Sequence, residues 1–159
     1  MQTRFQNIAS LGGFLVLCLS VSAIGGAVTR TSVYDWYQEL AKPHFTPPDW
    51  VFAPVWITLY LLMGFSAWLI WRRVGLAGGR TPLTVFAVQL ALNLAWSFVF
   101  FGARLIGWAA IELGFLWVAI AFNIWVFWRI DRLASVLLVP YFLWASFAGV
   151  LNTSIYILN

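Results

Sequence analysis

One stretch in the middle of the chain carries the residues best suited to holding a bound molecule. Gln89, Asn93, Trp96 and Phe100 fall at i, i+4, i+7 and i+11, which is a single face of an α-helix. Two uncharged amides in an otherwise apolar run are costly in a bilayer unless they turn inward. There they serve either as hydrogen-bond links between helices or as polar contacts to a ligand. Asn93 is the better ligand contact, because aromatic residues continue along its face. Glu112 is the one acidic residue deep in an apolar run, and a carboxylate at such a place marks function by default. The hairpin between its run and the preceding one predicts that it lies opposite Trp96, whose indole N–H would satisfy it. Arg104 is also close enough in sequence to reach back to it. Structural pairing is therefore expected ahead of proton chemistry.

Two prolines extend the candidate site. Pro54 precedes Trp56 and Tyr60, and Pro140 precedes Trp144. A proline inside a helix removes a hydrogen bond and bends or loosens a turn, and flat rings beside such a bend suit a pocket wall. Ordinary bundle packing would place the same residue types there. No catalytic constellation accompanies them. His44 is the only histidine and Cys18 the only cysteine, so neither a metal cluster nor an intrachain disulfide is expected. The chain has no Ser/His/Asp set, P-loop or glycine-rich nucleotide motif. Catalytic residues, metal ligands and an obligatory cofactor are all expected to be absent.

The elements that position these residues follow from composition. Of 159 residues, 63% are hydrophobic and only 9% charged, against roughly 25% charged in soluble domains. An integral membrane protein is the class that fits. Its net charge of +4 reflects topology and is no nucleic-acid footprint. A helix needs about 20 apolar residues to cross the hydrocarbon, and five such runs cover residues 7–28, 49–72, 81–102, 105–129 and 133–158. The expected architecture is an all-α, five-helix transmembrane bundle forming one membrane domain over 1–159. The first run is long enough to be a retained span and not a cleaved signal. The last three have very short links and must be antiparallel neighbours. Gly12, Gly13, Gly25 and Gly26, with Ala145 and Gly149, suit close helix contacts within the chain or between copies.

Basic residues orient the bundle. Arg4, Arg72, Arg73, Arg80, Arg129 and Arg132 gather at one end; Arg30, Lys42 and Arg104 lie at the other, diluted by Asp35, Glu39 and Asp49. This bias predicts a cytoplasmic N-terminus in a bacterial inner membrane, with an outer membrane as the alternative. Trp68 and Trp71, then Trp125 and Trp128, precede arginines and read as interfacial anchors. The one long connection, 29–48, contains Tyr34, Trp36, Tyr37 and Phe45, too aromatic for a disordered linker. YDWYQEL can form a helical turn with Asp35 at its start. Pro43, Pro47 and Pro48 then stiffen the approach to the second run. An ordered loop over the mouth of a small bundle is expected to act as a lid.

The order WY (36–37), KP (42–43), PPDW (47–50) and WITLYLLMG (56–64), followed by QLALNLAWSFVFFG (89–102), GWAAIE (107–112) and VPYFLWASFAGVLN (139–152), resembles the tryptophan-rich sensory protein, or translocator protein, family, also called peripheral benzodiazepine receptors. The resemblance covers nearly the whole chain. It implies a five-helix bundle, a homodimer in membrane lipid, and a pocket beneath the first loop for porphyrin, haem or benzodiazepine-type drugs. Carried over position by position, it implies ligand contacts at Trp36, Tyr37, Trp56, Tyr60, Asn93, Trp96, Phe100, Trp144 and Ala148. It implies a receptor or sensor of tetrapyrroles, with a tetrapyrrole transporter or a light-dependent porphyrin-degrading enzyme as alternatives. The chain departs from the family pattern at His44 and Phe45, where tryptophan is usual. It also lacks a basic residue after Tyr156, which the sterol pattern of animal members requires.

Overall fold

A computed structural model describes residues 4–159, with the side chains of residues 4, 5, 76 and 77 excepted. Arg4, counted above at one end of the bundle, is thus described in its backbone alone. Five helices are long and apolar enough to cross a membrane: span I (Gln6–Arg30), span II (Asp49–Gly75), span III (Gly78–Gly102), span IV (Ile106–Trp128) and span V (Arg132–Leu158). All regular structure among the described residues is helical. The five predicted runs are therefore present, in order and with nearly the predicted limits.

Each span turns its bulky apolar residues both ways. Trp108, Ile111, Phe115, Val118 and Phe122 form an exposed stripe on span IV, while Ala109, Leu113, Leu116, Ile120 and Phe127 are buried behind it. An apolar outer face is what lipid-facing helices require, since lipid tails and core are equally apolar. Neighbours follow from named contacts. Span I meets span II where Gly64 would place a Cβ 3.1 Å from the Phe14 carbonyl oxygen, and meets span III where Gly25 approaches Ser97. Span III meets span IV through stacked Phe86 and Phe127. Spans IV and V are linked by Trp117 and Ser146, and spans II and V by Ser66 and the Ala134 carbonyl. The bundle closes as I–II–V–IV–III. Of the predicted small-residue contacts, Gly25 is made within the chain, whereas Gly12, Gly13 and Gly26 face open space.

Three connections differ from expectation. Residues 73–80, read as a link, are largely helical, and the break falls at Gly75 with φ 64° and ψ −170°. Only glycine takes that conformation without steric cost. Helical dihedrals continue through Pro54, so the helix runs through it without a break. Pro140 occupies the first turn of the helix Val139–Leu158, where its missing N–H would have no partner anyway. Span V is instead interrupted before it, after the short helix Arg132–Val136. The lid does carry the predicted helical turn, Trp36–Glu39, with Asp35 as its N-cap.

The two ends of the bundle are anchored by different chemistry. At the arginine-rich end, Trp68 donates its indole N–H to the Asn7 carbonyl, and Arg72, Arg129 and Arg132 lie over Trp68, Trp125 and Trp128, the cation–π form of the predicted aromatic anchors. Asp131 is buried, accepts N–H bonds from Leu133 and Ala134, and pairs with Arg73 at 2.8 Å. Burial alone would raise its pKa. The N–H bond from Ala134, the Arg73 guanidinium and the Leu133 N–H outweigh that and hold the carboxyl below its ordinary range.

Candidate functional site

Spans II, III and V face one another through a run of buried polar groups. The Tyr60 hydroxyl donates to Asn93 Oδ1, and Asn93 Nδ2 donates to the Tyr141 hydroxyl at 2.7 Å. One amide thus uses both its functions, which removes the penalty of burying it. One turn on, Trp96 Nε1 donates to Asn152 Oδ1 at 3.2 Å, and Asn152 Nδ2 donates to the Ile106 carbonyl at 3.0 Å. The second amide ties spans III, IV and V together.

Aromatic rings line this seam. Trp56 lies 5.8 Å from Tyr60 and 6.4 Å from Tyr141 between ring centroids. Trp96 stacks on Phe100 at 5.2 Å. Trp144 packs on Phe52 at 5.8 Å and Phe147 at 5.5 Å, and Ala148 lies against the same core. From the lid, Trp36 and Tyr37 reach Phe100 edge-on at 5.7 and 6.2 Å. The nine residues expected from the sequence are thus joined by packing and hydrogen bonds, seven on the spans and two, Trp36 and Tyr37, on the lid above them. The rings fill the interior themselves. A groove of ≈ 650 Å³ does exist, but it runs over the outward side of span III along Arg80, Leu83, Thr84, Ala87, Val88 and Ala91. None of the nine lines it.

The end of span III adapts locally to this packing. Phe98–Gly102 forms a π-helical turn, a wider coil often found at functional sites. Ala103 N–H donates to the Phe98 carbonyl, and Leu105 N–H to the Val99 carbonyl. Consecutive Phe100 and Phe101 are both buried, and both meet Tyr37. Burial, then the nearby charge of Asp49, pushes the Tyr37 hydroxyl pKa up to about 12; it stays protonated at any physiological pH.

The lid has a buried root and an exposed rim. At the root, Ser32 donates to the Phe101 carbonyl at 2.7 Å. At the rim, Asn159 exchanges two 3.0 Å hydrogen bonds with the Ala41 backbone, and Gln38 donates to Asp49. Arg104, whose φ of 59° is unusual for a non-glycine residue, pairs with Asp35 at 3.8 Å and lies over Trp36. Lys42 is spent inside the lid, donating to the Tyr37 carbonyl at 2.7 Å. His44 and Arg30 are exposed, and the His44 ring packs on Phe45.

The expected pairing of Glu112 is overturned. Trp96 gives its N–H to Asn152, and Arg104 turns to the lid; both Glu112 oxygens are buried without a hydrogen-bond partner. The hairpin alone could not foretell that Asn152, from span V, would take the indole N–H. Gln89 contributes only a 3.9 Å contact to the Met63 sulfur, and its Oε1 is unpaired. Tyr141 and Asn152 were not anticipated as site residues. Helical spacing holds the signal: Tyr141, Ala145, Ala148 and Asn152 recur at i, i+4, i+7 and i+11, the same rhythm that singled out span III. Arg104 and Asn159 had no such signal.

Comparison with known proteins agrees with this arrangement. The chain is 39% identical over 150 residues to a translocator protein of Bos taurus, covering 93% of this chain and 83% of that one. It is 37% identical over 158 residues to the tryptophan-rich protein TspO of Chlorobaculum tepidum, covering 97% and 98%. It is 38% identical over 139 residues to a tryptophan-rich sensory protein of Cereibacter sphaeroides, covering 87% and 84%. The profile of the TspO/MBR family matches residues 14–158, and the chain belongs to that family.

Proposed function

We propose that this protein is a membrane receptor for a flat, hydrophobic tetrapyrrole, a porphyrin or haem, and that it reports or regulates the level of that ligand. The observation that carries this reading is the buried seam Tyr60–Asn93–Tyr141 set among Trp56, Trp96, Phe100 and Trp144 beneath an ordered lid. Flat rings stack on such walls, each good pair adding about 0.5–1.5 kcal/mol beyond area burial, while a single amide fixes orientation. Because the rings fill the interior, ligand enters by displacing them as the exposed lid rim releases. Porphyrin propionates would meet the exposed Arg30 at the lid end, and Arg104 or Lys42 once their lid contacts release. The relatives' names, sensory protein and translocator protein, support sensing or movement of a small molecule. Drugs of the benzodiazepine type would use the same walls. The basic bias supports a cytoplasmic arginine-rich end in a bacterial inner membrane, and the groove on span III would suit a second copy in a homodimer.

Titration of the purified protein with protoporphyrin, read by tryptophan fluorescence, tests the proposal. Saturable quenching at micromolar ligand is expected, weakened by Trp144→Phe. Quenching that stays linear in ligand, or is the same in the variant, would count against the site.

A further inference from the structure

Glu112 is the one carboxyl away from the ends of the spans, and no hydrogen-bond partner answers it among the described residues. Both of its oxygens are shut off from solvent. The two donors expected to answer it are committed elsewhere: Trp96 to Asn152, and Arg104 to Asp35 and Trp36. Its place in span IV is equally specific. Ala109, one turn before it, belongs to the aromatic cluster with Tyr37, Phe100 and Phe101. Leu116, one turn after it, belongs to the cluster with Tyr60 and Tyr141. Glu112 thus stands on span IV between the lid-side rings and the cluster that holds the polar seam. The Tyr141 hydroxyl accepts from Asn93, and no acceptor takes its own proton among the described residues.

A buried carboxylate without a counter-charge costs several kcal/mol, a cost that a bound cation would offset. Carboxylate and ring faces together are the chemistry that recognises an ammonium group. We propose that Glu112 is a ligand-binding carboxylate, and that the interior takes flat aromatic molecules bearing a protonated amine. The ammonium N–H groups would bond to the two Glu112 oxygens, while the ring stacks among Trp96, Phe100 and Trp56. The proposal uses the same interior as the tetrapyrrole reading but does not require a tetrapyrrole.

Calorimetric titration of the detergent-solubilised protein with naphthylmethylamine and with its neutral counterpart naphthylmethanol is the direct test. A hydrogen-bonded charge should favour the amine at least about tenfold in Kd, and Glu112→Gln should bring the two ligands to equal affinity. The fold leaves no group unpaired when this charge is lost, so the glutamine variant should melt at or above the wild-type temperature. A wild type without amine preference overturns the proposal, as does a glutamine variant that keeps it. A clear fall in melting temperature would make Glu112 a structural residue and also overturn it. Glu112→Asp, which retains the charge, should retain the preference. Loss of protoporphyrin quenching with amine selectivity intact would sink the tetrapyrrole reading alone; quenching without amine selectivity would sink this one alone.

Discussion

The lid end and the arginine-rich end close the same bundle by opposite means. At the arginine-rich end the fastenings are buried: Asp131 is 4% exposed, caps the helix that starts span V and holds Arg73, while Ser66 and Ser135 donate to carbonyls of neighbouring segments. At the lid end the rim fastenings are exposed. The Arg104–Asp35 pair is 3.8 Å long with both side chains open to solvent, and the Asn159–Ala41 and Gln38–Asp49 bonds are also at the surface. Exposed polar contacts exchange with water at little cost, whereas buried ones must break outright. The molecule is therefore fixed at one end and releasable at the other, with the aromatic interior against the releasable one.

Substitutions can break this contrast, and they should rank by depth. Asp131→Ala removes a buried cap and a charge-assisted bond together, and should cost about 2–3 kcal/mol, seen as a lower melting temperature in detergent. The same carboxyl gives a pH signature. Its pKa in the fold is below the unfolded value of roughly 3.9, so its contribution is complete above that value and is lost as pH falls through the lower, folded one. Asp131→Asn should flatten the acid limb of the melting profile; an unchanged limb would show that this carboxyl does not set acid stability.

Asn93→Leu comes next. It strands the hydroxyls of Tyr60 and Tyr141, at about 1–3 kcal/mol, and should weaken porphyrin quenching more than it lowers stability. If quenching is untouched, the seam is structural only. Asn159→Ala should cost roughly 0.5–1 kcal/mol and speed hydrogen exchange of the backbone around residues 40–46 without affecting span V. Arg104→Ala is expected to be the mildest for stability, within about 1 kcal/mol for an exposed pair, yet it should raise the rates of ligand entry and release. High salt should mimic it in the wild type. Should Arg104→Ala destabilise as much as Asp131→Ala, the difference between the two ends would collapse.

How much of the site was legible depended on how local its causes were. Asn93, Trp96 and Phe100 declare a face by spacing alone, and Tyr141 and Asn152 would have declared the matching one had span V been read for the same rhythm. Asp35 marked the lid's helical turn because capping acts over one turn. Glu112 was visible as an anomaly, but its lack of a partner was not. The Trp96 indole goes to Asn152 on span V, a partner that no sequence spacing links to Trp96. Pro54 is carried without leaving helical dihedrals, and Thr58 donates its hydroxyl to the Pro54 carbonyl one turn on.

The sequence by itself determined the membrane class, the five spans, the arginine-rich end and the shared face of Asn93, Trp96 and Phe100. These follow from the cost of placing polar groups in hydrocarbon, a cost paid residue by residue along the chain. The tertiary structure alone decided the break at Gly75, the π turn that buries both Phe100 and Phe101, the Asn159 clasp and the unanswered carboxyl of Glu112. Each of these is settled by which donors, acceptors and rings arrive together from different spans, and that meeting is written in no single stretch of the chain.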